Sequence, residues 1–462
     1  MSAIKEGGLS SSNSSALPLR AAVSIIFTFK DEVFAIRRQN YLRAFPGYHA
    51  FPGGKVDADD LEEKLEISSL QEFPAKLIHA LGREIDEELG VDFFDLFSSG
   101  KVSDFWEFGV AVTPPFHSHR FETHFYQCNL TEKIDFIADK SEAAEAGWIK
   151  ASELLNRYNS GEILAVPPTI IIFERLAEST NKGEFFNFNL LYDPDSEVPM
   201  IETIKGVKQF LPFSNTFPPA YRTNCFLIGD DGQKKILIDP SPKDREEYKK
   251  LLKSISKFEV NEVFLTHHHP DHHEYSTDLA RELMLPMSMS RKTHQLLLED
   301  CGEDYFKGLD LIFYKESFVV TRWMGEEVRV FEVPGHASGQ LALAPIGMGW
   351  FLAGDLIQTI GSVVIGGSQG NMRHYFKSME KVIGLNPRFV LPSHGIPMGG
   401  VHQVVKTLKH RKERERTISE LLLEGKTKEE MLKIIYPELA PELEKYAAAT
   451  ILAHLDKLAE ES

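Results

Sequence analysis

Residues Thr266 to His273 read Thr-His-His-His-Pro-Asp-His-His, directly after the apolar run Val263-Phe264-Leu265. Five histidines in seven positions serve no packing purpose. If a strand persists past Thr266, His267 and His269 point one way and His268 the other, because side chains alternate along a strand. Pro270 suits the first turn of a helix, which would lift Asp271 and His272 beside the same pocket. Imidazole nitrogens and carboxylate oxygens are the groups that hold zinc or a similar transition metal. The plain alternative is a solvated histidine-rich loop, and the spacing argues against it.

The same layout recurs three times downstream. Val328–Val333 runs into Pro334-Gly335-His336, Trp350-Phe351-Leu352 into Ala353-Gly354-Asp355, and Phe389-Val390-Leu391 into Pro392-Ser393-His394. Each apolar strand delivers one ligand-type residue through a tight turn, and seven such residues suffice for two metals. This set, spanning Ile201 to roughly His402, resembles the metallo-β-lactamase superfamily, whose His-x-His-x-Asp-His signature is followed by separate His, Asp and His residues. The resemblance implies that His267, His269 and His336 bind one Zn²⁺ or other divalent transition metal. It places Asp271, His272 and His394 on a second, and Asp355 between the two. Asp271 then also serves the chemistry, which for paired cations and water is hydrolysis. The hairpin Asn224–Gly229 and Ile236–Asp239 resembles the first hairpin of that fold, in which the aspartate supports a ligand from behind. Two departures stand out: Pro240-Ser241 replaces the usual Thr-Gly, and His273-Glu274-Tyr275 replaces a small residue and Gly. The second predicts an altered loop and altered substrate access.

A second constellation lies upstream. Leu81–Val91 reads Leu-Gly-Arg-Glu-Ile-Asp-Glu-Glu-Leu-Gly-Val. On a helix, Glu84, Glu87 and Glu88 stand at i, i+3 and i+4 beside the apolar stripe Leu81, Ile85 and Leu89, and Gly90 is placed to end it in a left-handed conformation. Like charges at that spacing repel; bound Mg²⁺ or Mn²⁺ reverses the sign of the interaction. A solvated acidic face is the alternative for this helix alone. Taken with the turn Phe51-Pro52-Gly53-Gly54, the pattern resembles the Nudix box. That implies an α/β/α Nudix fold over residues 18–185, with Arg83 orienting the carboxylates of Glu84, Glu87 and Glu88 around metals on a substrate diphosphate. The box is stretched by about 15 residues, Leu61 to Ala75, and Asp60 stands where a Glu is expected. Arg38, Arg43, Gly47 and the Phe51–Gly54 turn fit the spacing of the coenzyme A diphosphatase branch. By that resemblance Arg38, Arg43, Gly53 and Gly54 hold a phosphate-rich ligand. Glu142–Leu155 resembles the late Nudix segment that carries Trp and a further carboxylate; Glu145 there is a supporting ligand or base, or a helix-surface group.

The elements that must position these residues need more than one core. The chain has 462 residues, 42% of them hydrophobic, with a net charge of −17 and a pI near 5.5. Such a field repels phosphate backbones and anionic membranes. Expected divisions are a disordered tail at 1–17, the Nudix domain at 18–185 and an acidic linker at 186–200. The metallo-β-lactamase αββα sandwich follows at 201–405, then a helical tail at 406–462. In that tail a basic stretch, Lys409–Arg416, precedes short amphipathic helices over Thr427–Ile435 and Tyr446–Leu458. It resembles the winged-helix tail of the β-lactamase-like endoribonuclease subgroup, with no evident β-wing. His117 and His119 read as an ordinary polar loop. Three scattered cysteines, Cys128, Cys225 and Cys301, suit a reducing compartment. No secretion signal is evident, and no apolar stretch approaches the length needed to span a bilayer, so the cytoplasm is expected. The expectation is a bifunctional metal-dependent hydrolase: a Nudix diphosphatase of a nucleotide-derived small molecule, coenzyme A or acyl-CoA being favoured, and a dinuclear-zinc hydrolase of an ester, thioester or phosphodiester. The alternative is a single-strand endoribonuclease with the Nudix half as a ligand sensor; a nucleic-acid partner is the less favoured choice. Oligomeric state is not legible.

Overall fold

The computed structural model describes residues 19–114, 120–178 and 182–461; His117 and His119 lie outside them. In chain order the first elements are β1 (Arg20–Phe29), β2 (Glu32–Arg38), β3 (His49–Ala50), α1 (Ala75–Leu89), α2 (Phe93–Ser98), β4 (Val102–Val112), β5 (Phe121–Leu130), β6 (Ala143–Lys150), α3 (Ala151–Asn159), α4 (Pro167–Glu178) and β7 (Phe186–Asn187). Then come β8 (Met200–Ile204), β9 (Val207–Phe210), β10 (Cys225–Ile228), β11 (Ile236–Ile238), α5 (Arg245–Ile255), β12 (Glu262–Phe264), α6 (Pro270–His273), α7 (Ser276–Glu282), β13 (Met287–Met289), α8 (Arg291–Cys301) and β14 (Leu311–Phe313). The last are β15 (Val319–Trp323), β16 (Glu326–Glu332), β17 (Leu341–Pro345), β18 (Phe351–Gly354), α9 (Met372–Leu385), β19 (Phe389–Pro392), β20 (Met398–Gly399), α10 (His402–Leu423), α11 (Lys428–Ile435) and α12 (Glu444–Glu461). They gather into two compact units. Among the described residues, one comprises those up to Phe34, those within Phe51–Asp139 and a stretch ending at Leu190; the other comprises Ala35–Ala50, Lys140–Glu178 and those from Leu191 on.

In the first unit β1 turns into β2 through Lys30, which takes a left-handed conformation, with Thr28 facing Val33. β1 pairs in parallel with β5, β5 antiparallel with β4, and β4 in parallel with β7. α1 packs its stripe Ile78, Leu81, Ile85 and Leu89, all buried, and ends where Gly90 adopts φ +65°. It begins at Ala75, directly after Pro74 at the N-cap position. The segment expected as a linker opens as strand β7. Phe186 packs on Phe108 at 5.1 Å and Phe188 is buried, so aromatic burial outweighs the polar composition around them.

The second unit holds two sheets, ordered β14-β13-β12-β11-β10-β9-β8 and β15-β16-β17-β18-β19-β20. Their facing sides share one core: Ile228, Ile236, Ile238 and Phe264 from the first sheet meet Val328, Val330, Leu343, Leu352 and Leu391 from the second. Outer faces are covered by helices. Tyr248, Leu251 and Ile255 of α5 and Leu279 of α7 pack against Leu237 and Val263. Tyr375, Met379 and Val382 of α9 and Val404 and Leu408 of α10 pack against Ala342, Phe351 and Val390. The result is an αββα sandwich. A small satellite core of Ile418, Leu421, Met431 and Ile451 holds the end of α10, α11 and α12 together. Thr427 opens α11 with a capping box to Glu430.

One prediction in this unit is corrected. Glu145 does not stand on a helix surface: Ala143–Lys150 is strand β6, and α3 starts only at Ala151. Gly147 weakens helical propensity there, and Trp148 and Ile149 favour an extended chain. Glu145 therefore lies on a strand, where it pairs with Arg37 at 2.8 Å. Among the described residues no helix is long and apolar enough to cross a membrane.

Candidate functional site

β12 lies in parallel between β11 and β13 and is wholly buried. The strand ends at Phe264 and does not persist past Thr266: the chain bends at Thr266 and at His268, His269 has φ −70° and ψ 143°, and α6 starts at Pro270. The Nδ1 atom of His269 lies 3.1 Å from Nε2 of His267. It also lies 2.8 Å from Nε2 of His336, which arrives from the end of β16. Gly335 makes that arrival feasible. With φ +142°, a Cβ there would stand 2.3 Å from the Cα of Tyr375 on α9, a distance no other residue tolerates.

A second gathering forms beside the first. His394, beyond the end of β19, brings Nε2 to 3.5 Å from Oδ2 of Asp271, and Nε2 of His272 lies 3.9 Å from Oδ1 of the same carboxylate. Asp355, delivered by β18 through Gly354 at φ +57°, stands between the two. Its Oδ2 is 3.6 Å from His336, and its Oδ1 is 3.5 Å from His272 and 3.4 Å from His394. Among the described residues, the groups able to share a cation are His267/His269/His336, His267/His272/Asp355 and Asp271/His272/His394, each with donor atoms within 4.8 Å of one another. All seven side chains singled out in the sequence meet here.

The rings are held from behind. His336 Nδ1 donates to the Val364 carbonyl at 2.7 Å, and His394 Nδ1 donates to the Arg222 carbonyl at 2.9 Å. His272 Nδ1 donates to Asp239 Oδ2 at 2.8 Å. Carbonyls and carboxylates only accept, so each Nδ1 carries the proton and each Nε2 presents a lone pair inward. Asp239 also accepts from the amide of Thr266 at 2.8 Å and from its hydroxyl at 2.6 Å, and that hydroxyl lies 3.0 Å from His267 Nδ1. One buried aspartate thus braces both gatherings, at a left-handed φ of +50°.

The electrostatics divide the set. Burial, reinforced by neighbouring imidazoles, pushes His267 well below the ordinary histidine range, His269 to about 2, and His336 down. For His272 burial acts the same way, but Asp355, Asp271 and Asp239 outweigh it and hold the ring well above. Burial is likewise overcome at His394, which Asp355 raises. Burial would raise Asp355, yet His394 and His272 hold it well below the usual carboxylate range. Nε2 of His272 and Oδ1 of Asp355 are buried without a hydrogen-bond partner. Unsatisfied buried acceptors, imidazoles turned with Nε2 inward and a carboxylate between two gatherings fit a pair of divalent cations.

In the other unit the glycine turn meets helix α1. The Gly53 amide donates to Glu88 at 2.9 Å, and a Cβ on Gly54 would lie 2.3 Å from the Glu84 carboxylate. Arg83 donates to Asp60 at 2.8 and 3.2 Å, to Glu84 at 2.8 Å and to the Lys55 carbonyl at 2.9 Å. Its reach to Glu87 is longer, 3.4 Å, and that carboxylate is mostly exposed. Hydrogen bonding to Arg83 holds Asp60 below the usual range against the opposing effect of burial. Gly53, Gly54, Arg83, Glu84 and Glu88 are thus brought together, with Glu87 at the rim. Arg38 and Arg43 belong to the other compact unit. Arg38 donates to the Ala44 carbonyl at 3.3 Å, and Arg43 is exposed.

Three family models match the chain: the NUDIX domain over residues 18–165, the metallo-beta-lactamase superfamily over 218–394 and the beta-lactamase-associated winged helix domain over 427–462. The chain joins a NUDIX domain to a metallo-β-lactamase domain. It is a metal-dependent hydrolase by both. Its β-lactamase half is similar to a beta-lactamase-like protein 2 homolog of Drosophila melanogaster, 27% identical over 255 residues that cover 52% of this chain and 82% of that protein. It is also similar to a hydroxyacylglutathione hydrolase of Bdellovibrio bacteriovorus, 24% identical over 36% of this chain and 60% of that protein. A solved metallo-beta-lactamase family protein of Thermus thermophilus aligns with 22% identity and a TM-score of 0.45, covering 55% of this chain and 94% of that one.

Sequence reasoning marked Asp239 as a brace but missed the other groups that hold these side chains. Thr266 has a signal, a hydroxyl next to the first histidine, whereas the carbonyls of Val364 and Arg222 have none. Thr223, whose hydroxyl lies 2.8 Å from the Asp271 carbonyl, was equally unmarked. In the NUDIX domain Asp60, which stands just before the insert where a glutamate is expected, is the main partner of Arg83.

Proposed function

We propose that the two halves hydrolyse different bonds in one class of small molecule, a coenzyme A derivative. The NUDIX half would cleave its diphosphate with Mg²⁺ or Mn²⁺. The metallo-β-lactamase half, with two Zn²⁺ or similar ions, would cleave an ester, most directly the acyl thioester. The observation that carries the reading is the convergence of seven donors on two adjoining gatherings with Asp355 between. His267, His269 and His336 would hold one ion and Asp271, His272 and His394 the other. Cations there would supply Lewis acidity toward the scissile group and the attacking water. The chain's own part is to turn Nε2 of His272, His336 and His394 inward by fixing each Nδ1 from behind, and to hold Asp355 ionised among them. In the NUDIX half Arg83 would orient Glu84, while Glu87 and Glu88 complete the metal-binding carboxylates. Gly53 and Gly54 would receive the phosphates. Residues 18–185 and 201–405 are the proposed extents of the two catalytic domains.

Support for the thioester comes from the relative whose name states that it hydrolyses hydroxyacylglutathione; an acyl-CoA presents the same kind of acylated thiol. Support for the coenzyme A class is the arginine spacing upstream of the glycine turn. The net charge of −17 argues against a polynucleotide substrate. Mass spectrometry of products from an acyl-CoA tests the reading. Metal-replete protein should release free coenzyme A, lost in His269→Ala, and acyl-phosphopantetheine with 3′,5′-ADP, lost in Glu87→Gln. Intact acyl-CoA and intact coenzyme A after incubation would reject the substrate class.

A further inference from the structure

The carbonyl that fixes His336 belongs to the loop following β18, and that loop is gripped from the tail. His336 Nδ1 donates to Val364. The neighbouring carbonyl, Val363, accepts a hydrogen bond from Nη2 of Arg411. Arg411 is only 8% exposed and lies on α10, the helix that runs on into the winged-helix domain. A guanidinium is buried at such cost only where its donors are used. Two residues past Val364, Gly366 approaches α12 so closely that a Cβ there would stand 2.7 Å from the Cβ of Ala449 and 2.8 Å from its carbonyl oxygen. Val363 and Ile365 are buried in the same core as Leu408 of α10 and Ala453 of α12. The loop therefore has His336 on one side and both tail helices on the other.

We propose that Arg411 is a positioning residue for the metal centre: by fixing the Val363–Val364 backbone it sets the ring orientation and tautomer of His336, so that the tail tunes metal affinity at the His267/His269/His336 gathering. This rests on the reading of His336 as a ligand. Partners one step behind a ligand typically change metal affinity by about 10–100-fold when removed. Arg411 acts one bond further out, so the lower end of that range is expected.

The test uses the full chain carrying Arg411→Gln, Arg411→Lys, Gly366→Ala or His336→Ala, with Zn²⁺ affinity measured by chelator competition and the visible spectrum recorded after Co²⁺ loading. Arg411→Gln should weaken one of two Zn²⁺ sites about tenfold and alter the Co²⁺ ligand-field bands, with the other site unchanged. Arg411→Lys, which keeps a charge and a donor, should recover part of both effects. Gly366→Ala, which pushes the loop off α12 without touching Arg411, should reproduce them if Arg411→Gln does not fold. Unchanged affinity and spectrum in folded Arg411→Gln or Gly366→Ala, alongside weakened binding in His336→Ala, would overturn the role of Arg411 alone. Unchanged binding in His336→Ala would overturn the ligand reading beneath it.

Discussion

An imidazole can ligate only through a nitrogen that carries no proton, so a site built from five of them depends on what stands behind each ring. Asp239 is the most connected of these supports, accepting from Thr266 twice and from His272 once. Asp239→Asn turns one acceptor into a donor: an amide group at the Oδ2 position meets both the Thr266 hydroxyl and the His272 Nδ1 proton, and at the Oδ1 position it meets the Thr266 amide. Zn²⁺ affinity should fall about 10–100-fold, read by chelator competition; affinity equal to wild type would deny Asp239 its bracing role. The two gatherings should also answer differently to acid. His272 and His394 are held above the ordinary value of 6.5 by nearby carboxylates, so protons compete for their Nε2 atoms while the medium is still near neutral. His267, His269 and His336 lie below it and keep their lone pairs to lower pH. Falling pH should therefore empty the Asp271/His272/His394 site first, a loss visible as a drop toward one Zn²⁺ per chain in titrations at successive pH values. At this scale the sequence was legible in the side chains, because ligand types repeat at strand ends. The carbonyls of Val364 and Arg222 were not, since every residue has one and only the fold selects which is used.

Short strands do the positioning, each handing one donor to the site across a turn. Gly335 is where that handover is tightest. Gly335→Ala must move the backbone of Tyr375 or His336, and overpacking of this kind costs about 1–3 kcal/mol. The expected outcome is a lowered Tm together with weaker metal binding; a variant as stable as wild type would show that the approach of α9 to this turn is looser than described. In the NUDIX domain the corresponding support is Asp60, which accepts from Arg83 and from the Asp57 amide. Asp60→Asn should cost about 1.5–3 kcal/mol, the range for hydrogen bonds to a charged group, measured by denaturant unfolding. The folded pKa of Asp60 is lowered, so its contribution is present above the ordinary carboxylate range and disappears as pH falls through the lowered value. Wild type and Asp60→Asn should then converge in stability in acid. Strands at Val328, Trp350 and Phe389 were legible because apolar runs stopped at Gly or Pro. β6 was not, because Ala-Ala-Glu-Ala reads as helix until Gly147, Trp148 and Ile149 are weighed. β7 was hidden by acidic neighbours, and only the aromatic packing of Phe186 and Phe188 makes it a strand.

At the scale of the whole molecule, two hydrolytic families and a winged-helix tail were legible from motif spacing, as local chemistry leaves local patterns. The compact units were not. Ala35–Ala50 and Lys140–Glu178 fall in the unit that contains the metallo-β-lactamase sandwich, a grouping decided by contacts between residues far apart in sequence. The proposed division of labour predicts independent losses: Glu87→Gln should leave metal content at the histidine site unchanged, and His269→Ala should leave diphosphate cleavage intact. The seven converging donors are the centre of the account, and metal stoichiometry tests them most directly. Elemental analysis of the intact chain after dialysis should find two transition-metal ions per chain, reduced in His269→Ala and in His394→Ala. A single ion, or two ions retained in both variants, would contradict the paired site.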